Sequence, residues 1–261
     1  MKPEVVARGA SVFSTVPENN YSFLSGTSMS APAVTGIAAL LTEQWRRTFR
    51  GTSPRPAQLK AVIIAGTDDL GNPGPDYTYG FGLVNAKNSA DIIRADEGSG
   101  QRIRTLTFAQ GTNDSHEVAI VVSQAQTVRV VLNWADPAIP FLGRDEIAAK
   151  ALVNDLDVRV VDPSGNVWLP YVLDRNSFQS NATRGVNTVD NVEMVEIPNA
   201  VPGGYRIIAT GTKVTEGPQE AVLVTSVRTA RPCFDVQETA TPNNSAHSAL
   251  RQRRSLPVLV R

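Results

Sequence analysis

The chain has little of the chemistry that usually identifies a site at sight. It has one cysteine, Cys233, and two histidines, His116 and His247. A single cysteine excludes an internal disulfide, and Cys233 has no Cys or His partner at metal-ligand spacing. It says little about compartment. The longest clearly apolar run, Ile37–Leu41, is far too short to span a bilayer. The opening MKPEVVARG lacks the apolar stretch of a signal peptide. Net charge is also absent, with 25 Lys and Arg against 25 Asp and Glu. Such a balance leaves no global field to draw in nucleic acid or an anionic membrane. What is present is 261 residues, 41% apolar and 19% charged. That is enough to build a packed core and too apolar for wholesale disorder.

Patterning divides the chain near DEGSG, Asp96–Gly100. Upstream, Lys2–Ala7 and Tyr21–Leu24 read as short extended pieces. Ser28 to about Arg47 reads as one helix, apolar or small on every side through Leu41, the pattern of a helix buried within a domain. Ser53, Pro56 and Gly66 bracket a second helix, AQLKAVIIA, and Asn85 precedes a third, AKNSADIIR. This is an α/β pattern. Downstream the period becomes two. Strands are predicted at Ile103–Phe108, Glu117–Val122, Thr127–Trp134, Leu156–Val161, Val167–Tyr171, Val192–Ile197, Tyr205–Thr210 and Ala221–Val227. Turn residues such as DPSGN (Asp162–Asn166) separate them, so Leu156–Tyr171 should be a tight hairpin. Short strands without intervening helices predict an antiparallel sandwich or jelly roll. The expected domains are 1–97, 101–229 and a flexible tail, 230–261.

The run SGTSMSAP, Ser25–Pro32, places Ser28 at the mouth of the first helix. Free backbone N–H groups and the positive dipole end there favour an anion. Pro32 is expected in the first turn, where a missing N–H costs little. A nucleophilic serine needs an exposed hydroxyl, a base and oxyanion donors. The plainer alternative is that Ser25, Thr27 or Ser28 caps a buried helix. Asn154, Asp155 and Asp157 in VNDLDV, with Asp136, offer the hard oxygens that calcium prefers. Acidic residues at a strand start are equally ordinary turn formers. Asp190, Asn191 and Glu193 form a similar group, and Asp68 and Asp69 a loop after the second helix. Arg251–Arg254 reads as a solvated tail, and Trp134 and Trp168 as packing residues in strands.

SGTSMSAPAVTG (Ser25–Gly36) with the following IAALL resembles the nucleophile signature of the subtilisin-like serine peptidases, the subtilases. KPEVVARG is similar to the family's strand Lys-Pro-Asp-Val-Val-Ala-Pro-Gly, with Glu4 for Asp and Arg8 for Pro. RPAQLKAVIIAGTDDLG and YGFGLVNAKNSA are similar to its closing helix and turn, so the resemblance covers roughly residues 1–95. Ala33 stands where the family often has a histidine without a catalytic role. The β region resembles the jelly-roll domain that follows the catalytic domain in some subtilases and often accompanies calcium sites. The resemblance implies an α/β segment, the incomplete C-terminal part of a catalytic domain, followed by an all-β domain. It also implies Ser28 as nucleophile, a protein or peptide substrate, structural Ca²⁺ and secretion, with no cofactor for catalysis.

One part of the family pattern is missing. Subtilases order their triad Asp, His, Ser, and the oxyanion Asn also precedes the serine. The segment before Ser28 holds no Asp and no His. His116 opens a predicted strand and His247 lies in the tail. In subtilisin itself, loss of the histidine or serine costs about 2 × 10⁶ in kcat, and an asparagine oxyanion donor alone is worth about 10²–10³. The expectation is therefore the C-terminal end of a larger endopeptidase, with Met1 internal or a miscalled start and the rest of the catalytic domain as its partner. The alternative is a non-catalytic remnant or pseudoenzyme whose β-sandwich binds a partner. Either way, the isolated chain should not be a competent peptidase.

Overall fold

The computed structural model describes residues 1–97, 102–139 and 151–227. The expectations for Cys233, His247, Arg251–Arg254 and the tail lie outside the described residues. Met1–Arg231 forms one compact unit. It opens with an antiparallel hairpin, β1 (Val12–Val16) and β2 (Asn20–Leu24), turning through Glu18 and Asn19 at positive φ. Three helices follow, α1 (Thr27–Thr48), α2 (Pro56–Ala65) and α3 (Ala86–Ala95). Pro56 opens α2 where no N–H is needed, and the Gln58 side chain accepts the Arg55 N–H at 2.8 Å. Asn85 caps α3 by accepting the Asn88 N–H at 3.0 Å.

The remaining strands are β3 (Ile103–Phe108), β4 (Asp114–Val122), β5 (Gln126–Trp134), β6 (Asn154–Val161), β7 (Val167–Trp168), β8 (Tyr171–Val172), β9 (Thr183–Arg184), β10 (Val192–Ala200), β11 (Gly203–Val214) and β12 (Gln219–Thr225). Eight of them build two four-stranded antiparallel sheets, ordered β10-β5-β12-β3 and β4-β11-β6-β7, and β8 pairs with β9 apart from both. The long strands β3, β4, β5, β6, β10, β11 and β12 alternate between the two sheets along the chain, and only the short β7 stays in the sheet of the strand before it. The predicted strand Val167–Tyr171 is broken into β7 and β8, because Pro170 has no N–H to give a ladder. Between β6 and β7 the turn at Asp162–Asn166 closes the expected hairpin, with Val161 opposite Val167.

The inner faces share one core. Val128, Val130, Leu132 and Trp134 of β5 meet Leu156, Val158 and Val160 of β6, Ile120 of β4 and Ile207 of β11. The two outer faces differ, and the sequence records why. Along β4, exposed Glu117, Ala119 and Val121 alternate with buried Val118, Ile120 and Val122, since that sheet has one wet face. Along β5, Val130, Val131, Leu132, Asn133 and Trp134 are all buried. The second face is covered by α2, whose Ala61–Ala65 pack against Val131, Val192, Met194, Val222 and Val224. Each Val, Ile or Met side chain fully buried there contributes about 1.5–3 kcal/mol.

A polar clasp closes the same junction. Arg129 of β5 donates to Glu196 of β10 at 2.7 Å and 2.6 Å, and to the carbonyls of Ala65 and Thr67 at 3.3 Å and 2.7 Å. One guanidinium thus satisfies orphan acceptors at the end of α2 and sits favourably at its negative dipole end. From Thr67 the chain continues into a narrow frame. Asp68 and Leu83 exchange two hydrogen bonds, and Leu83 faces Val6 in a parallel bridge. Only glycine fits at position 82, where φ is +117° and a Cβ would lie 2.1 Å from the Asp68 carbonyl oxygen. Of the predicted extended piece Lys2–Ala7, Val6 alone makes a bridge.

The first helix departs from expectation. Its composition predicts burial, yet among its residues only Leu41 and Trp45 are buried, and Leu40 is 62% exposed. The reason is what it has to pack on. Helices α3 and α2 are its neighbours, so Val34, Ile37, Ala38, Leu41 and Trp45 pack on the core while Thr27, Ser28, Ala31–Ala33 and Leu40 stay exposed.

Replacing Arg129 by Met should destabilise the fold by about 2–4 kcal/mol in urea denaturation, since Glu196 and the two carbonyls then lose a largely buried partner. Adding Glu196→Gln should cost less than the two single changes summed, which the double-mutant cycle reads directly.

Candidate active site

Ser28 is the second residue of α1 and is exposed. The helix is entered at Gly26, with no side chain capping it, so the capping alternative has no hydrogen bond behind it. The Oγ of Ser25 instead accepts the Ser11 N–H at 2.9 Å. The Gly26 N–H donates to the Gly9 carbonyl at 2.8 Å, and the Gly26 carbonyl accepts the Met29 N–H at 3.0 Å. Among the described residues the Ser28 hydroxyl has no hydrogen-bond partner. Pro32 lies inside the helix rather than in its first turn. It therefore has no N–H to give to the Ser28 carbonyl four residues earlier.

No base stands at this serine among the described residues. His116 on β4 is engaged in the β region, where Nε2 bonds the Thr107 carbonyl of β3 at 2.8 Å and the ring meets Phe108 edge-on. It bridges two strands that belong to different sheets. Asp68 accepts from Asn85 and Asn88, and Asp69 accepts the Gly74 N–H at 2.9 Å, so both carboxylates organise the loop after α2.

The acidic residues of VNDLDV fold into a structural knot. Asn154 is fully buried and uses its whole amide, donating to the Glu216 carbonyl and Gln219 side chain and accepting the Thr215 and Glu216 N–H groups. Both oxygens of Asp136 accept backbone N–H groups, of Val153 and Asn154, each at 2.8 Å. Asp157 accepts the Thr212 hydroxyl, and Asp155 is nearly buried. Among the described residues no group of three or more His, Cys, Asp and Glu is placed to hold a metal ion. Trp134 is buried in the core and Trp168 donates to Asp162, both as packing residues.

Glu193 is the outlier of the neighbouring group. It is 1% exposed, and Oε2 accepts the Val158 N–H of β6 at 2.7 Å while Oε1 has no partner. Burial pushes its pKa well above the usual carboxylate range, with the Asp157 charge adding to the shift. Asp190 beside it accepts from Asn187, and Asn191 donates to the Trp134 carbonyl.

Residues 1–82 match the Subtilase family model. Over 214 residues the chain is 27% identical to Subtilisin-like protease SBT3.16 of Arabidopsis thaliana, covering 75% of this chain and 26% of that protein. With the C5a peptidase of Streptococcus pyogenes it shares 44% identity over 131 residues, 47% of this chain and 11% of that one. Subtilisin DY of Bacillus licheniformis is 36% identical over 87 residues, 33% of this chain and 28% of that one. The chain therefore spans between 11% and 28% of the length of these relatives. The segment with subtilase similarity is the one that carries Ser28.

Two outcomes follow. Ser28→Ala should leave the thermal melt unchanged, because the side chain is exposed and unpartnered; a shift of several degrees would show that it supports the fold. Glu193→Gln should melt higher than the parent at pH 8. A carboxyl whose folded pKa is raised favours folding below its unfolded pKa, and that contribution is lost as pH climbs through the folded value. The gap between the two proteins should therefore close as the pH falls below the ordinary carboxylate range.

Proposed function

We propose that this chain is the nucleophile-bearing, C-terminal part of a subtilisin-like serine endopeptidase. The observation that carries the reading is Ser28 itself: exposed, at a helix N-terminus, within a segment that matches the Subtilase family. On this reading Ser28 Oγ bonds to the peptide carbonyl carbon as its proton passes to a histidine. The C–N bond then breaks, the histidine returns the proton to the leaving amine, and an acyl-enzyme remains. The backbone N–H of Ser28 provides an oxyanion donor. The histidine, its orienting aspartate and an asparagine donor come from polypeptide outside this chain.

The exposed apolar surface around the serine supports that division. Phe13, Phe23, Leu24 and Leu40 are 59%, 66%, 47% and 62% exposed. Phe13 and Phe23 meet with ring centroids 4.9 Å apart on the hairpin that leads into α1, exposed apolar surface of the kind that another layer of protein covers. The alternation of long strands between the orders β10-β5-β12-β3 and β4-β11-β6-β7 supports reading the β region as a jelly roll.

A second reading, a non-catalytic remnant whose β-sandwich binds a partner, is favoured by one observation. His116 is occupied at Thr107, leaving Ser28 without a base among the described residues. Both readings expect the isolated chain to turn over a chromogenic peptide no faster than buffer. The test that separates them is the coding DNA upstream of Met1, in frame. Asp-Thr/Ser-Gly and His-Gly-Thr motifs there return Ser28 to a triad; a stop codon followed by a start signal at Met1 removes peptidase activity from its function.

A further inference from the structure

We infer that Gly9 is a positioning residue for Ser28. The main chain of Gly9–Ser11 clamps the turn ahead of α1, and the absence of a side chain at Gly9 sets the distance. The inference rests on reading Ser28 as the nucleophile, but the clamp itself is defined by geometry.

Two hydrogen bonds make the clamp. The Gly9 carbonyl receives the Gly26 N–H at 2.8 Å, and the Ser11 N–H donates to Ser25 Oγ at 2.9 Å. The segments approach too closely for any larger residue. A Cβ built on Gly9 would lie 2.6 Å from the Gly26 carbonyl oxygen and 3.1 Å from Ser30 Cβ. The obstacle is backbone, which has no rotamer by which to withdraw. That same carbonyl accepts the Met29 N–H, the first turn of the helix, so moving it moves the peptide adjoining Ser28. The other end of the clamp is fixed. Val6, three residues before Gly9, exchanges hydrogen bonds with Gly82 and Val84, and Leu83 pairs with Asp68 just beyond α2.

The clamp is needed because the helix does not hold its own end. Met29 and Ser30 are half-buried, and Thr27, Ser28, Ala31, Pro32 and Ala33 are exposed. Pro32 also removes one intrahelical bond. Side-chain packing cannot locate a serine that sits on an open flank, so backbone bonds to Gly9–Ser11 do.

The test is residue-resolved amide hydrogen exchange on the full chain. In Gly9→Ala the Gly26 and Met29 amides should exchange about tenfold faster, the size expected for losing one hydrogen bond, with the thermal melt unchanged. Ser25→Ala should accelerate Gly26 less, and Ser25→Thr, which keeps an acceptor oxygen, should restore it. Gly36→Ala is the control, since a Cβ there meets nothing within 4 Å on the same helix. If Gly9→Ala does not fold, the Ser25→Ala and Ser25→Thr pair carries the measurement. Unchanged Gly26 exchange in Gly9→Ala and Ser25→Ala, or an equal rise in Gly36→Ala, overturns the proposal. Failure of the nucleophile reading looks different: upstream DNA without Asp and His motifs, with the exchange pattern intact.

Discussion

A ten-residue helix lying on the outer face of a β-sheet is the contact from which the rest of this molecule takes its geometry. Ala61–Ala65 of α2 are apolar without a break because they are enclosed, with β5 and β12 against the helix and α1 and α3 as its other neighbours. The sheet beneath it pairs Val131 with Met194 and Val224, three apolar residues that would face water without the helix. Burial supplies the bulk of the stabilisation, and Arg129 supplies direction. A nondirectional apolar contact tolerates sliding; a guanidinium shared among Glu196, Ala65 and Thr67 does not. The end of α2 then sets Asp68, Asp68 sets Leu83, and Leu83 sets Val6.

This contact is written in the sequence as an irregularity. A sandwich strand with one wet face alternates, as Asp114–Val122 does. The runs VVLNW and VEMVEI do not alternate, and that excess of apolar residues signals a covered second face. Helix starts were equally legible, since Pro56 and Asn85 act through local backbone chemistry. Other features depend on partners far away in the chain and leave no local trace. Nothing near Arg129 marks it as the cap of a helix ending at Ala65. Asn154 looks like a candidate ligand, but its amide is consumed by Thr215, Glu216 and Gln219. The hairpin partner β1 was missed because Val12–Val16 lacks a buried face to impose a strict period on it. Ser25 and Gly9 look like ordinary loop residues until the fold brings them together.

Helix α1 shows where composition and environment part. Its first half has the small, apolar makeup of an enclosed helix, yet only Val34 and Ile37 of it pack on the core and Thr27, Ser28 and Ala31–Ala33 lie open. Apolar surface of this kind is a requirement for a neighbour rather than evidence of one. The same open flank bears Ser28, so the patch and the serine face one unanswered need. A serine hydroxyl is a weak nucleophile until a base takes its proton, and a helix N-terminus stabilises an anion without removing a proton. On the proposed reading, both needs are met by one layer of polypeptide. The surface that covers Phe23 also brings the histidine.

That arrangement explains why the serine turn is anchored by hydrogen bonds to main chain rather than by side-chain packing. If the covering layer contributes the base, the nucleophile must hold its position against a surface formed from other polypeptide. Gly9 and Ser11 tie it to the frame that runs through Val6 and Leu83 to α2, the part of this chain that is packed on every side. The exposed end of α1 can then be apolar, as docking demands, without being loose. Two small residues, Gly9 and Ser25, carry that distinction, since Gly9 permits the backbone approach and Ser25 supplies the side-chain acceptor that fix it. The site is thereby positioned from the packed side and left open on the side where chemistry would have to be completed.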